Sequence, residues 1–133
     1  MKLVYPACFY PLEKSDGYLV EIPDLKGCTT QGSNMINAIE MAIDAASGWV
    51  LDELEDGKSI PPATSVHDVV SDEPDGIVSL IFLDMTSYME KHGSKAVRKN
   101  LTVPAWLATA ADKKSINYSA VLQEALLQKL EIS

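Results

Sequence analysis

Apolar runs and turn residues alternate along the N-terminal part of the chain at a spacing that predicts a small sheet. Three short apolar or alternating runs are separated by Ser, Asp, Gly and Pro, which favour reversals of the chain. After a long polar loop, a fourth apolar run is typical of a buried strand. The four predicted strands span residues 3–10, 18–22, 28–31 and 77–83.

One long helix is predicted between the third and fourth strands. Ser33 or Asn34 suits its N-cap, and the apolar periodicity ends near Gly57, which suits a C-terminal cap. Because apolar residues recur every three or four positions, one face of the helix should cover a sheet. That predicted face consists of Ile36, Ile39, Ile43, Ala46, Val50 and Leu54. These elements predict an α+β fold, a three-stranded meander plus a fourth strand covered by one long helix.

The C-terminal part begins with a single predicted strand, residues 97–103, whose two faces differ in polarity. The apolar face carries Val97, Leu101 and Val103, with Lys99 as its one polar member. The polar face carries Arg98, Asn100 and Thr102. Because a lone strand has two free edges, it needs a partner, and the same strand of a second copy is the simplest one. The sequence therefore predicts a homodimer that shares a two-stranded ribbon.

Two short helices are predicted after this strand. Pro104 suits the first position of a helix that extends to about Lys114, and Asn117 suits the N-cap of the next helix. Neither helix is long enough to be stable alone in water, so each needs a packing partner. The first helix should bury Leu107, Ala110 and Ala111. The second carries Val121, Leu122, Ala125, Leu126 and Leu130 at helical spacing.

Charge is distributed unequally along the chain, which carries a net charge of −8. Residues 94–133 hold six Lys and Arg against three acids, a net +3, whereas the remainder holds five Lys against sixteen acids, a net −11. We predict an acidic domain over residues 1–84, a polar hinge over 85–94 and a basic domain over 95–133, with two separate functions. Because a two-stranded ribbon fits the DNA major groove, the basic domain is a candidate for DNA binding.

Composition and single residues argue against several other classes of protein. Cys8 and Cys28 lie in predicted strands without metal-binding spacing, and they are expected to be buried thiols rather than a disulfide. His67 and His92 have no partner at metal-ligand spacing, so neither a metal nor a cofactor is expected. Because no apolar run has the length of a membrane span and the N-terminus lacks a signal-peptide pattern, we expect a cytoplasmic protein that does not bind a membrane.

An enzymatic function is not expected. A metal-dependent nuclease would need converging carboxylates, and Glu21, Asp44 and Asp52 are the conceivable set. Asp44 and Asp52 lie two helical turns apart at positions typical of the solvent side, so they make a poor cluster. The sequence also lacks a Gly-rich phosphate loop, a nucleophile elbow and a Cys–His pair. We therefore assign no catalytic residue.

Three features of the C-terminal part occur together: RKNLT in the strand, Pro104 at the start of the first helix, and NYSAVLQEAL at the start of the second. This combination resembles the ribbon-helix-helix family of DNA-binding repressors, in which strand residues touch base edges and the second helix's N-terminus holds a phosphate. The resemblance implies base contacts by Arg98, Asn100 and Thr102. It implies phosphate contacts by Lys99, Tyr118 and Ser119.

The N-terminal part contains the phrases YPACFYP, DGYLVEIPDLKGCTTQG and AIEMAIDAASGWVLDELEDGKSIPP. They resemble the N-terminal domain of HicB antitoxins, although Lys26 stands where that family often has proline. The resemblance implies a reduced ribonuclease H-like scaffold without its catalytic residues. It also implies a partner, the HicA toxin, a small basic ribonuclease that cleaves mRNA and that an acidic domain would attract. The candidate toxin contacts are Asp16, Glu21 and Asp24.

Together the two resemblances imply an antitoxin that neutralises a HicA-like ribonuclease and, as a dimer, binds operator DNA and represses its own operon. A simple dimer and a higher oligomer built from dimers both fit this interpretation. One alternative is a stand-alone ribbon-helix-helix repressor whose N-terminal domain senses a small ligand. A neighbouring gene for a short basic protein with a histidine favours the antitoxin. Another alternative is an interaction module that never touches DNA, in which Arg98 and Lys99 are solvated charges.

Overall fold

The computed structural model describes residues 1–131, which form two compact units. The N-terminal unit comprises Lys2–Gly93, and the C-terminal unit extends from Ser94. In the described residues, the N-terminal unit contains a four-stranded antiparallel sheet, two α-helices and a short 3-10 helix, Val66–Asp68, and the C-terminal unit contains two further α-helices. The predicted α+β class is confirmed.

The sheet of the N-terminal unit is a meander extended by one returning strand. Its strands are β1, Lys2–Pro11; β2, Tyr18–Glu21; β3, Thr29–Gly32; and β4, Ile77–Asp84. The spatial order is β3-β2-β1-β4, and every neighbouring pair is antiparallel. Strand β4 therefore forms one edge of the sheet, and it pairs with β1 from Lys2 opposite Asp84 to Phe9 opposite Ile77. The predicted meander with a fourth strand is confirmed.

The register assigns each residue of the sheet to one of two faces, because directly paired antiparallel residues share a face. We call the face that packs against the long helix the covered face; most of its residues are fully or almost fully buried, whereas Ile77 and Ser79 at the start of β4 are exposed. It carries Tyr5, Ala7, Phe9, Val20, Ile81 and Leu83. We call the opposite face the open face. It carries Val4, Pro6, Cys8, Tyr10, Leu19, Glu21, Leu80 and Phe82.

The long helix α1 spans Met35–Glu55, close to the predicted bounds. The Asn34 side chain accepts a hydrogen bond from the backbone N–H of Asn37 at 2.9 Å, which confirms Asn34 as the N-cap. Gly57 follows the helix with a positive φ of 72°, a conformation that glycine adopts without steric cost. Local sequence signals were therefore sufficient to predict both ends of this helix.

The prediction of the buried face of α1 was wrong for its first turns. The buried positions are Ala38, Ala42, Ala46, Ser47, Val50 and Leu51, whereas Ile36 is 74% exposed. The physical reason is complementarity of size. The covered face supplies bulky side chains such as Tyr5 and Phe9, so the helix packs through small residues that let its backbone approach the sheet. Hydrophobicity alone selected the larger isoleucines.

Gly32 provides the close approach where β3 leads into α1. A Cβ atom at this position would lie 2.3 Å from the backbone nitrogen of Ala38, a distance that no side chain can occupy. The chain therefore needs glycine here to bring the first turn of α1 against the sheet.

The connection between β2 and β3 is held by a hydrogen bond within itself and by hydrogen bonds to two other parts of the unit. Within the connection, the Ile22 N–H donates to the Cys28 carbonyl at 3.1 Å. The indole Nε1 of Trp49 on α1 donates to the Lys26 carbonyl at 3.1 Å. The Asp24 carboxylate accepts from both the backbone N–H and the hydroxyl of Thr64, at 2.9 and 2.5 Å. This loop is thus part of the rigid scaffold.

The segment predicted to be a hinge, residues 85–94, is mostly helical. Helix α2 spans Met85–His92, and the Asp84 side chain caps it by accepting a hydrogen bond from the Ser87 N–H at 3.2 Å. Met85 is fully buried, so the helix is anchored in the N-terminal unit. The sequence signal for a helix was weak because most residues of this segment are polar and Met85 is its one fully buried residue.

The C-terminal unit contains helices α3, Ala105–Lys113, and α4, Tyr118–Lys129. Pro104 is the N-cap of α3 rather than its first helical residue, so the helix begins one residue later than predicted. Asn117 caps α4 as predicted, because its side chain accepts from the Ala120 N–H at 3.1 Å. Residues 97–103 carry no strand assignment within the single chain. The strand and its pairing with a second copy therefore stay predictions.

Candidate functional site

Alternate side chains of residues 97–103 in the C-terminal unit differ in their surroundings. Lys99, Leu101 and Val103 line a cavity of about 450 Å³ together with residues of α3 and α4. The alternate residues do not line this cavity. They are Arg98, Asn100 and Thr102, and all three are exposed. The structure therefore brings one set toward the helices and leaves the polar set free for an external partner.

The three residues predicted to contact phosphate, Lys99, Tyr118 and Ser119, line this same cavity. Tyr118 and Ser119 form the first turn of α4, whose leading N–H groups have no acceptor within the helix. A lysine ammonium beside a helix N-terminus is a favourable environment for an anion.

The hydroxyl of Tyr118 has a structural role between the two helices. It donates to the carboxylate of Asp112 at 2.5 Å and lies 3.1 Å from the Ala108 carbonyl, both on α3. Its hydrogen bond to Asp112 raises the pKa of the Tyr118 phenol, with smaller contributions from burial and from the negative charge of Asp112. At neutral pH the hydroxyl therefore keeps its proton and ties α4 to α3. The Tyr118 hydroxyl is thus engaged within its own unit.

No residue from 94 to 131 is buried in the single chain. The predicted burial of Leu107 and Ala110 is therefore wrong for the isolated chain, and Ala111 is only half-buried. The physical reason is size, because a unit of this length cannot enclose a core by itself. Its large exposed apolar side chains are Val97, Leu101, Val103, Trp106, Leu107, Ile116, Tyr118, Val121, Leu126, Leu127 and Leu130. A surface this apolar indicates a protein interface.

The three carboxylates proposed as toxin contacts do not converge. Asp16 is exposed in the turn between β1 and β2, and Asp24 is engaged with Thr64 in the scaffold. Glu21 lies on the open face and lines a second cavity of about 450 Å³. Glu21 is thus the member of the set whose surroundings resemble a binding surface.

The cavity beside Glu21, which we call the acidic groove, was only partly indicated by the sequence. It brings five carboxylates together: Glu13, Glu21, Asp72, Glu73 and Asp75. Three of them come from the loop before β4, where the backbone N–H of Asp72 donates to the Tyr10 hydroxyl at 3.3 Å. The acidic run SDEPD in this loop can be seen in the sequence. Its position beside Glu21 depends on the register of β4 against β1, which the sequence does not reveal.

The two cysteines of the N-terminal unit are buried thiols. Burial raises the pKa of both the Cys8 and the Cys28 thiols, so at neutral pH they are protonated rather than nucleophilic, and both are free, as predicted. Asp44 and Asp52 lie exposed on α1, which packs on the covered face, whereas Glu21 lies on the open face. Within residues 1–131, no group of three or more potential ligands is placed to hold a metal. In the same range, no helix combines the length and apolar character needed to cross a bilayer.

Comparison with known proteins gives a family match over almost the whole chain. A family model described as the HicB_like antitoxin of bacterial toxin–antitoxin systems matches residues 5–129. An uncharacterised 14.9 kDa protein from the rep–hol intergenic region of Haemophilus phage HP1 is 32% identical over 114 residues, which cover 84% of this chain and 80% of the phage protein.

Solved structures of toxin–antitoxin complexes share the fold. A chain from a toxin–antitoxin complex of Streptococcus pneumoniae superposes with a TM-score of 0.62 at 23% identity, covering 97% of this chain and 99% of that one. A chain from a HicA3 and HicB3 toxin–antitoxin complex superposes with a TM-score of 0.52 at 22% identity, covering 62% of this chain and 99% of that one.

Proposed function

The chain belongs to the HicB-like antitoxin family of bacterial toxin–antitoxin systems, and from this premise we propose that it neutralises a HicA-like ribonuclease and represses its own operon as a dimer. The N-terminal unit binds the toxin and blocks its access to mRNA. The C-terminal unit pairs with its twin and binds operator DNA. The chain acts by binding, in the cytoplasm, and requires no cofactor.

One observation carries the DNA-binding part of this proposal. Lys99, Leu101 and Val103 face the helices of their own unit, and the polar residues between them do not. When two such segments pair antiparallel, the ribbon has one apolar face over the helices and one polar face outward. Arg98, Asn100 and Thr102 then stand in duplicate on the outer face, where guanidinium and carboxamide groups match the edges of guanine and adenine.

The exposed apolar surface of the C-terminal unit supports the dimer. Residues 94–131 include no buried residue, so this unit gains little from folding alone, because burial of apolar surface is the main stabilising contribution. Two copies joined through residues 97–103 bury Leu101 and Val103 against each other's helices. Folding and dimerisation of this unit are then one process.

Phosphate binding follows from the first turn of α4. In the dimer, each Lys99 lies at the edge of the ribbon beside the amides of Tyr118 and Ser119. Such a site holds the DNA backbone and fixes the register of the ribbon in the major groove. It adds affinity for any DNA sequence, whereas the ribbon adds specificity.

Family membership supports the antitoxin over a stand-alone repressor with a ligand-sensing domain. The charge of the N-terminal unit supports it as well. Five lysines against sixteen acids in residues 1–93 leave a net charge of −11, which attracts the basic surface of an RNA-cleaving protein.

The DNA part is tested with the DNA upstream of the chain's own gene. We predict that Arg98→Ala and Asn100→Ala each weaken specific binding by about 1–3 kcal/mol, because each removes a contact to a base edge. Lys129→Ala is the matched control, since it removes one positive charge from the same unit outside the ribbon. Titration by fluorescence anisotropy at fixed salt measures the affinities of wild type and the three variants, and Lys129→Ala should lose less affinity than Arg98→Ala. Equal affinities for wild type, Arg98→Ala and Asn100→Ala contradict the proposal.

A further inference from the structure

The open face of the sheet combines an apolar centre with an acidic end. In its centre, Val4 pairs with Phe82 and Pro6 pairs with Leu80. Val4, Leu80 and Phe82 are 44%, 53% and 52% exposed, although they belong to the two longest strands of the sheet. Cross-strand neighbours on one face lie in contact distance, so these side chains form one continuous patch.

This patch differs from the scattered apolar residues found on every protein surface. Pro6 and Cys8 lie buried between its members, so the patch has a packed floor. Leu19, 43% exposed, continues it onto β2 and also lines the acidic groove. The apolar patch and the acidic groove are therefore parts of one surface.

We infer that this surface, the open face with the acidic groove at its end, is where the basic toxin docks; the inference rests on the proposed antitoxin function. Val4, Leu80 and Phe82 form the apolar anchor, which loses water in the complex. The five carboxylates of the acidic groove face the cationic residues with which a ribonuclease holds RNA phosphates. The antitoxin thereby occupies the RNA-binding surface of the toxin.

Charge selects this occupant over a second copy of the chain. Two N-terminal units that met through their open faces would bring two acidic grooves and two net charges of −11 together. Like charges brought together across an interface disfavour association, whereas opposite charges accelerate encounter. A basic partner with an apolar centre satisfies both parts of the surface.

The surface also explains why the acids near β2 are unequal candidates. Glu21 borders both the patch and the groove, so we keep it as a contact. Asp24 holds Thr64 by two hydrogen bonds, and its carboxylate contributes to the scaffold instead. Asp72, Glu73 and Asp75 join Glu21 from the loop before β4.

The test uses the full-length chain and the toxin encoded beside it, with the toxin's catalytic histidine substituted so that both can be purified. Two double variants probe the surface: Leu80→Ser with Phe82→Ser, and Glu73→Lys with Asp75→Lys. The control, Glu55→Lys with Asp56→Lys, makes the same change of charge at the end of α1, away from the open face. Isothermal titration calorimetry gives the affinities, and stopped-flow mixing gives the association rates.

We expect the apolar variant to weaken toxin binding roughly tenfold or more, as anchor residues of interfaces do. The charge variant should slow association about tenfold at low salt and less at high salt. The control should stay within about twofold of wild type. Because Leu80 and Phe82 are half exposed, their substitution leaves the covered face intact, and thermal denaturation verifies that the variants fold.

Two results overturn the inference and leave the antitoxin function standing. In the first, wild type binds the toxin and both surface variants bind equally well. In the second, toxin affinity is unchanged but the apolar variant loses self-association in sedimentation, which makes a second copy the occupant. Failure of wild type to bind the toxin overturns the antitoxin function itself.

Hydrogen exchange on the wild-type complex tests the surface without substitutions. We expect the toxin to increase the protection of residues 77–84 against exchange. Unchanged exchange in this segment contradicts the inference.

Discussion

At the residue scale, the sequence was most informative where one side chain acts on its own backbone. Asn34 and Asn117 were predicted as helix N-caps, and both accept the expected hydrogen bond. Such contacts span three residues, so no tertiary knowledge is required. Ile36 was misplaced because burial depends on what lies opposite, and the sheet's bulky side chains favoured Ala38. Asp24 could not be assigned to the scaffold because its partner, Thr64, lies forty residues away.

The buried thiols predict how stability depends on pH. Burial raises the pKa of Cys8 and Cys28 in the folded chain, whereas an unfolded thiol ionises near roughly 8.5. Their contribution is complete below that value and is lost as pH rises toward the folded pKa. We expect the free energy of unfolding to fall over the window that opens above about pH 8.5, with a slope of up to about 1.4 kcal/mol per pH unit for each thiol.

Urea denaturation of the wild type and of a Cys8→Ala, Cys28→Ala variant at several pH values measures this slope. The variant should lose most of the dependence in this window, because the tyrosines with raised pKa values ionise at still higher pH. An identical slope in the two proteins shows that the thiols do not cause it.

At the element scale, the periodicity of apolar residues was sufficient to predict most strands and helices. It was not sufficient to predict which groups surround them. The order β3-β2-β1-β4 agrees with the predicted meander and fourth strand, since short turns join neighbours. The segment that forms α2 has the polar composition of a hinge, and a capping Asp84 and one buried Met85 are weak signals of a helix. The acidic groove also escaped prediction, because the register that joins Glu21 to the loop before β4 is a long-range property.

Because β3 and α1 approach closely at Gly32, we predict that one added methyl group there strongly lowers stability. Gly32→Ala should destabilise the N-terminal unit by about 1–3 kcal/mol, because its Cβ would meet the Ala38 backbone at 2.3 Å and the helix would have to move. Gly48→Ala is the control within α1, where the added Cβ would meet only the Tyr88 hydroxyl at 3.1 Å.

For Gly48→Ala, we expect a change from nearly neutral to a gain of up to about 1 kcal/mol, since alanine favours helix. Chemical denaturation of the two variants beside wild type gives the comparison. If Gly32→Ala is as stable as Gly48→Ala, the close approach at this junction does not constrain the fold.

At the scale of the whole molecule, the chain joins two units that differ in the sign of their net charge and in whether they enclose a hydrophobic core. The N-terminal unit encloses a core between α1 and the covered face, so it can fold within one chain. The C-terminal unit encloses none in the described residues and exposes most of its large apolar side chains. The sequence predicted this division from charge and from a strand without a partner. The proposed pairing of residues 97–103 requires a second copy, and within a single chain these residues form no β-strand.

Dimerisation through residues 97–103 is the claim on which operator binding depends, and sedimentation equilibrium tests it most directly. We predict that the full-length chain sediments at micromolar concentration with twice its 14.5 kDa mass, and that Leu101→Asp reduces this mass to that of a monomer because it places a charge inside the shared apolar face. Thr102→Ala, on the outward face, should remain dimeric. A wild-type chain that sediments as a monomer, or a Leu101→Asp variant that stays dimeric, contradicts the account.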